Sequence, residues 1–193
     1  MADQKISAMP SANALTGAEL VPLVQSGVNV QASLGTFSSY AQNRIGLLDT
    51  TTQTALADTA TVMTFDTVAF SQGISLVDNS KITFAKAGTF MLNVVLQMEN
   101  QSNQIHTADF WIRLNGSDYP LSNTREDIPT FHAGVPGHTV VTIDLPGVAA
   151  ANDYIEIVWS TPSTDVDIEY TAAQVSPTRP ATPSIILTVF QIG

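Results

Sequence analysis

Three histidines, His106, His132 and His138, and an alternating acidic run, Asp165, Asp167 and Glu169, are the residues whose types and spacing invite a chemical reading. His132 and His138 flank the segment AGVPG, so a hairpin there would bring an i, i+6 pair together. Two imidazoles do not complete a metal centre, since zinc takes about four ligands held by outer hydrogen bonds. The histidines are therefore read as loop residues. In a strand the three carboxylates share one face. They could contribute to the roughly six to eight oxygens that calcium takes. The plainer expectation is a solvated, self-repelling face, and no metal is assigned.

Nucleophilic catalysis finds no pattern to rest on: there is no Gly-x-Ser-x-Gly elbow and no phosphate loop. A glycosidase needs only two facing carboxylates, and 17 acidic residues leave that open as a distant reading. The expectation is a chain that is not an enzyme and takes no cofactor. Trp111 and Trp159 can stack on a sugar or fill a core. Trp159 shares an alternation face with Ile155 and Ile157, which predicts burial.

Composition narrows the partners. The net charge is −10, and the 7 basic residues form no cluster. A nucleic-acid surface needs clustered Lys and Arg to displace phosphate counterions, so neither nucleic acid nor an anionic membrane is an expected partner. Charged residues make up only 12 % of the chain, and Ser, Thr, Asn and Gln fill the polar positions. Such a surface suits extracellular or assembled particles. There is no cysteine, hence no disulfide and no thiolate chemistry. No apolar run approaches the roughly 18 residues of a membrane span. Pro10, Asn13, Thr16 and Gly17 interrupt what would be the apolar core of a signal peptide. If the chain acts outside a cell, it is expected to leave by lysis or aboard a particle.

The elements that must position these residues fall into two regions. Residues 1–56 are rich in Ala, Ser, Leu and Val. Within them, ELVPLVQSGVNVQAS reads as a hairpin around Ser26-Gly27, with Pro22 on an edge strand. Leu34, Phe37, Ala41, Ile45 and Leu48 then follow at helical spacing after a candidate N-cap, Ser33. This predicts a short amphipathic helix, marginal without a packing partner.

Residues 57–193 read as β throughout. Strands are expected over Thr61–Val68, Ile74–Val77, Lys81–Lys86, Thr89–Glu99, Thr107–Asn115, His138–Leu145, Asp153–Thr161, Val166–Thr171 and Ser184–Ile192. Asp78-Asn79, Ala87-Gly88, Asn115-Gly116, Pro136-Gly137 and Pro146-Gly147 mark turns between them. Many short strands without a strong helix predict an all-β antiparallel sandwich. In the last strand Ile185, Leu187 and Val189 alternate with Ile186, Phe190 and Ile192, so both faces are apolar. One face is core. The other, with Met91, Val95 and Trp111, is expected to meet another subunit or the chain's own N-terminal region.

The segments KITFAKAGTFMLNVVLQMEN, FWIRLNGSDYPLSNT, DYIEIVWSTPSTDVDIEY and PSIILTVFQIG together resemble a jelly-roll domain of tailed-phage structural proteins. That domain is similar in pattern to the trimeric tumour-necrosis-factor and complement globular-head family. The resemblance covers about residues 60–193. The N-terminal run MADQKISAMPSANALTGAELVPLVQSGVNVQAS resembles an attachment segment of phage virion proteins. The resemblance implies a homotrimer fixed to a virion. The apolar outer faces of the strands set the expected trimer interface at Met91, Val95, Trp111, Ile186, Phe190 and Ile192. Attachment to the major capsid protein or another virion protein would use Ile6, Leu15, Leu20, Val21, Leu23, Val24, Leu34 and Phe37. In a protein made in bacteria the sequons Asn100-Gln101-Ser102 and Asn115-Gly116-Ser117 are accidental.

The expected function is that of a capsid decoration protein on the virion surface. The competing expectation is a short tail fibre whose loops, Leu121–Gly137 and Ser160–Asp165, bind host glycans.

Overall fold

A computed structural model describes residues 15–35 and 43–193. The chain divides into two compact units, Met1–Gln42 and Asn43–Gly193. Among the described residues no helix is long and apolar enough to cross a membrane.

In the first unit, β1 (Leu20–Gln25) pairs antiparallel with β2 (Val28–Ser33). Ser26 and Gly27 have φ of 52° and 78°, so both turn residues are left-handed, as a type I′ hairpin turn requires. Pro22 stands opposite Gln31 in this two-stranded ribbon, where a missing N–H leaves no ladder bond open on the outer side. The predicted helix lies in part outside the described residues. Ile45 and Leu48, placed on it by their spacing, instead belong to a strand of the second unit.

That unit is an all-β antiparallel sandwich with a jelly-roll order. Its strands are β3 (Arg44–Asp49), β4 (Gln53–Thr54), β5 (Thr61–Val62), β6 (Thr67–Gln72), β7 (Ile74–Val77), β8 (Lys81–Phe84) and β9 (Gly88–Asn100). There follow β10 (His106–Leu114), β11 (Ser117–Asp118), β12 (Thr124–Ile128), β13 (Gly137–Ala149), β14 (Tyr154–Ser160) and β15 (Val166–Ile168). A small ribbon, β16 (Gln174–Val175) with β17 (Thr178–Arg179), precedes β18 (Ile185–Gln191).

One sheet contains β13, β9, β18, β3 and β6 in spatial order, with β15 and β4 extending the β18 side of β9. The other contains β12, β10, β14, β8 and β7, with β5 and β11 on β14 and β10. The chain crosses repeatedly between the sheets: β8 in one, β9 in the other, β10 and β12 in the first, β13 in the second, β14 in the first and β18 in the second. That alternation wraps the chain as a jelly roll.

Period-two patterning builds the core. Leu92, Val94 and Leu96 of β9 stand opposite Val189, Leu187 and Ile185 of β18, and all six are buried. Ile45 and Leu47 of β3 continue the layer. Phe110, Ile155, Ile157, Trp159, Ile82 and Phe84 are buried from the other sheet. Each such side chain contributes roughly 1.5–3 kcal/mol when fully removed from water.

Three local expectations give way to tertiary context. The predicted Thr61–Val68 strand is two strands in different sheets, since β5 pairs with β14 and β6 with β3. Pro146-Gly147 is not a turn, because β13 runs through it with Pro146 opposite Met91. β13 bonds only β9 along this stretch, so the absent proline N–H falls on the free edge. The sandwich also starts upstream of residue 57, at Asn43: β3 lies between β18 and β6 and cannot be part of a separate segment.

Candidate functional site

The outer face of the β13–β9–β18–β3–β6 sheet gathers most of the residues singled out for assembly. Ile186 stands opposite Val95, and Phe190 opposite Met91. On the far side of β18, Ile186 pairs with Leu48, Thr188 with Gly46 and Phe190 with Arg44. Phe70 of β6 stands beside Gly46, and the Arg44 guanidinium lies 5.9 Å from its ring centroid, within cation–π range. Phe190 is 41 % exposed, Phe70 46 % and Ile192, just beyond β18, 53 %. The apolar residues form two rows, Val95–Ile186–Leu48 and Met91–Phe190, separated by the polar row Asp144–Asn93–Thr188, with Phe70 over Gly46 at the end of that row.

Trp111 does not belong to that face. It lies on β10, in the opposite sheet, beside Val158 of β14. Its indole N–H donates to Asp118 Oδ1 at 2.8 Å, and the Arg113 Nε–H donates to the same oxygen. These bonds hold the Asp118 carboxyl below its usual range, first through Arg113 and then through Trp111. The alternation of β10 puts Trp111 on an outer face, but only the sheet order reveals which sheet carries it. Trp159 is fully buried, as predicted, with no hydrogen-bond partner for its indole nitrogen.

The attachment residues divide between the described and the undescribed. Ile6 and Phe37 lie outside the described residues. In the hairpin Leu20 and Val24 occupy one face and Val21 and Leu23 the other. Leu20 is 61 % exposed and Val24 67 %, Leu15 is exposed, and Val21, Leu23 and Leu34 are half-buried. Glu19 closes the turn before β1. Its Oε1 accepts from the Thr16 backbone N–H at 2.8 Å and from the Thr16 hydroxyl at 2.9 Å, and its Oε2 accepts from the Gly17 N–H at 2.8 Å. The Thr-Gly-x-Glu portion of the N-terminal pattern is thus a local turn, with Gly17 at φ 88°.

A second constellation was not read from the sequence. His138 is not in a loop: it lies near the start of β13 and stands opposite Glu99 of β9. On the other side of Glu99 stands Asp167 of β15. Glu169 follows on the same face, its backbone N–H bonded to Gln97 O. His138 Nδ1 and Glu169 Oε2 are 3.3 Å apart. One candidate ligand atom each from Glu99, His138 and Glu169 lies within 4.8 Å of the others. Partial burial raises the Asp167 carboxyl above its usual range, and the charges of Glu99, Asp165 and Glu169 add to the effect. His132, considered with His138 from sequence, bridges back to Val135 instead.

An apolar cleft of about 90 Å³ opens near the other end of the sandwich, lined by Phe84, Phe90, Leu114, Tyr119, Leu121 and Val189.

The fold is an antiparallel jelly-roll sandwich, and one sheet carries several exposed apolar side chains on its outer face. No family model matches the chain, and no curated protein matches it.

Proposed function

We propose that the chain is a non-enzymatic structural protein of a tailed-phage virion, a homotrimeric decoration protein on the outer surface of the head. The observation that carries this reading is the partly exposed apolar group Met91, Val95, Ile186, Phe190 and Phe70 on one sheet. Exposed apolar side chains gathered on one sheet face mark an interaction surface. The occupant that best fits a jelly roll of this pattern is a second and third copy of the same face. Trp111 has its own partners on the opposite sheet and is left out of the interface.

Met1–Gln42 is the attachment unit in this reading. A lone two-stranded hairpin is marginal in water, and β1–β2 carries exposed apolar side chains on both faces, Leu20 and Val24 on one and Val28 on the other. Such a ribbon gains by completing its packing on a capsid or other virion protein, through added strand pairing or buried side chains.

The test is stoichiometric. Mass photometry of the purified chain should give three copies, and gel densitometry of virions should give hundreds of copies per particle. A stable monomer removes the interface. A copy number in the tens, with loss of adsorption on deletion, replaces the decoration reading with a tail-fibre one in which the exposed loops bind host glycans.

A further inference from the structure

We propose that Glu99, His138 and Glu169 form a binding site for one divalent transition-metal ion of the zinc class per chain, on the outer surface of the β13–β9–β15 sheet. The argument begins with convergence. β13 and β15 flank β9 on opposite sides, so His138 on β13 and Glu169 just past β15 start from opposite sides of β9. Their side chains nevertheless lean toward each other over β9, bringing Nδ1 to 3.3 Å from Oε2. Glu99 rises from β9 itself, directly opposite His138. Two strands and the segment just after β15 thus bring one nitrogen and two carboxylate oxygens to a common point, each within 4.8 Å of the others. Metal–ligand bonds of about 2.0–2.2 Å place neighbouring ligand atoms roughly 3–3.5 Å apart, so modest rotamer adjustment closes the site.

The second, independent observation is an orphaned oxygen. Asp167 stands opposite Glu99 on the same face, and its Oδ1 is buried without a hydrogen-bond partner. A buried carboxylate oxygen left unpartnered is costly. Glu99 and Glu169 share that sheet face with it. A cation held by the three converging ligands would stand on the same sheet face as Asp167 and supply positive charge there. The titratable groups facing the point are therefore His138 from β13, Glu99 from β9, and Asp165, Asp167 and Glu169 from β15 and its flanks.

The donor set selects the ion. Calcium prefers roughly six to eight oxygens and magnesium keeps its waters, whereas imidazole with carboxylates suits zinc and its neighbours in the first transition row. Two or three carboxylates with one neutral imidazole balance or exceed the charge of a divalent ion. Positions left open on the metal would face solvent, because His138 is half-exposed.

The experiment uses the full chain, stripped with EDTA and dialysed, then titrated calorimetrically with zinc chloride and, separately, calcium chloride. One zinc ion per chain is expected, with no comparable heat from calcium. Cobalt(II) should give visible d–d absorption that zinc displaces. His138→Ala and Glu169→Gln should each weaken zinc affinity at least tenfold while far-UV circular dichroism stays unchanged. His138 is an exposed residue on an edge strand, so its variant folds even if Glu169→Gln does not. Absent zinc uptake, uptake unaltered in His138→Ala, or calcium bound in preference would each overturn the proposal.

Discussion

The ring of Phe70 fills the space that a side chain at Gly46 would need. A Cβ placed on Gly46 would stand 2.5 Å from Phe70 Cε1 and 2.7 Å from Cζ. Glycine at this position lets an aromatic ring of the neighbouring strand lie over β3 and join the outer apolar residues. Gly46→Ala should displace that ring, because the backbone of β3 is fixed by ladders to β18 and β6. Overpacking in a rigid setting costs about 1–3 kcal/mol. The half-exposed ring can swing outward, so the expected loss is near 1 kcal/mol, read as a lower urea midpoint with an unchanged m-value. An unchanged midpoint would mean that Phe70 is not held over Gly46.

A charge placed on that outer face should separate assembly from folding. Phe190 points away from the core, between Arg44 on one side and Met91 on the other. Phe190→Asp removes apolar contact and introduces a carboxylate that another subunit would have to desolvate. The chain should keep its β circular dichroism, and the proposed trimer should give way to monomer in mass photometry. Arg44 can pair with the new carboxylate within the monomer, which protects the fold. Persistence of the trimer in this variant would remove β18 from the interface.

Where single strands carry strict alternation, the sequence is a good guide. The face that holds Phe90, Leu92, Val94, Leu96 and Met98 is buried, and Trp159 is inside with Ile155 and Ile157. The hairpin at Ser26-Gly27 follows from its turn residues. β3 was hidden because Ile45 and Leu48 stand three apart, the spacing of a helix face, while the strand sends them to opposite sides. Nothing local to RIGLLD says that Gly46 lies beneath an aromatic ring from another strand. The His138 cluster was hidden for a different reason. Glu99, His138 and Glu169 are neighbours only through the registers of β13 and β15 on β9. An outward-facing histidine at the start of HTVVTID and an alternating acidic run were visible signals. The register that joins them was not.

The position of β3 fixes where the chain can be cut. A variant lacking residues 1–42 should retain the sandwich, since the second unit begins at Asn43. A variant lacking residues 1–56 loses Ile45 and Leu47, both fully buried, and the strand that joins β18 to β6. It also loses Asp49, whose backbone O accepts from the Ser184 N–H at 3.0 Å and whose side chain bonds Thr51. Two buried aliphatic side chains alone contribute about 3–6 kcal/mol, against a total stability of about 5–15 kcal/mol for a domain. Thermal melts followed by circular dichroism should show a cooperative transition for the first variant and none for the second. A cooperative melt for the shorter chain would show that β3 is dispensable.

The Thr16–Glu19 turn has an acid-sensitive signature. Hydrogen bonds from the Thr16 backbone, then from other turn donors, lower the Glu19 carboxyl from 4.5 to about 2. A depressed acid binds fewer protons in the ordered turn than in the open one between those two values. Its stabilising contribution is therefore complete above the unfolded value near 4.5 and is lost as pH falls through about 2. In an NMR titration the Thr16 and Gly17 amide resonances should hold their positions through pH 4 and move together near 2. A midpoint near 4.5 would mean that the carboxylate does not accept those bonds in solution. Glu19→Gln at neutral pH offers the complementary measurement. The amide can still present one oxygen, but not two charged ones, to the Thr16 and Gly17 donors. Amide exchange at those two positions should accelerate while the amides of β9 and β18 exchange as before.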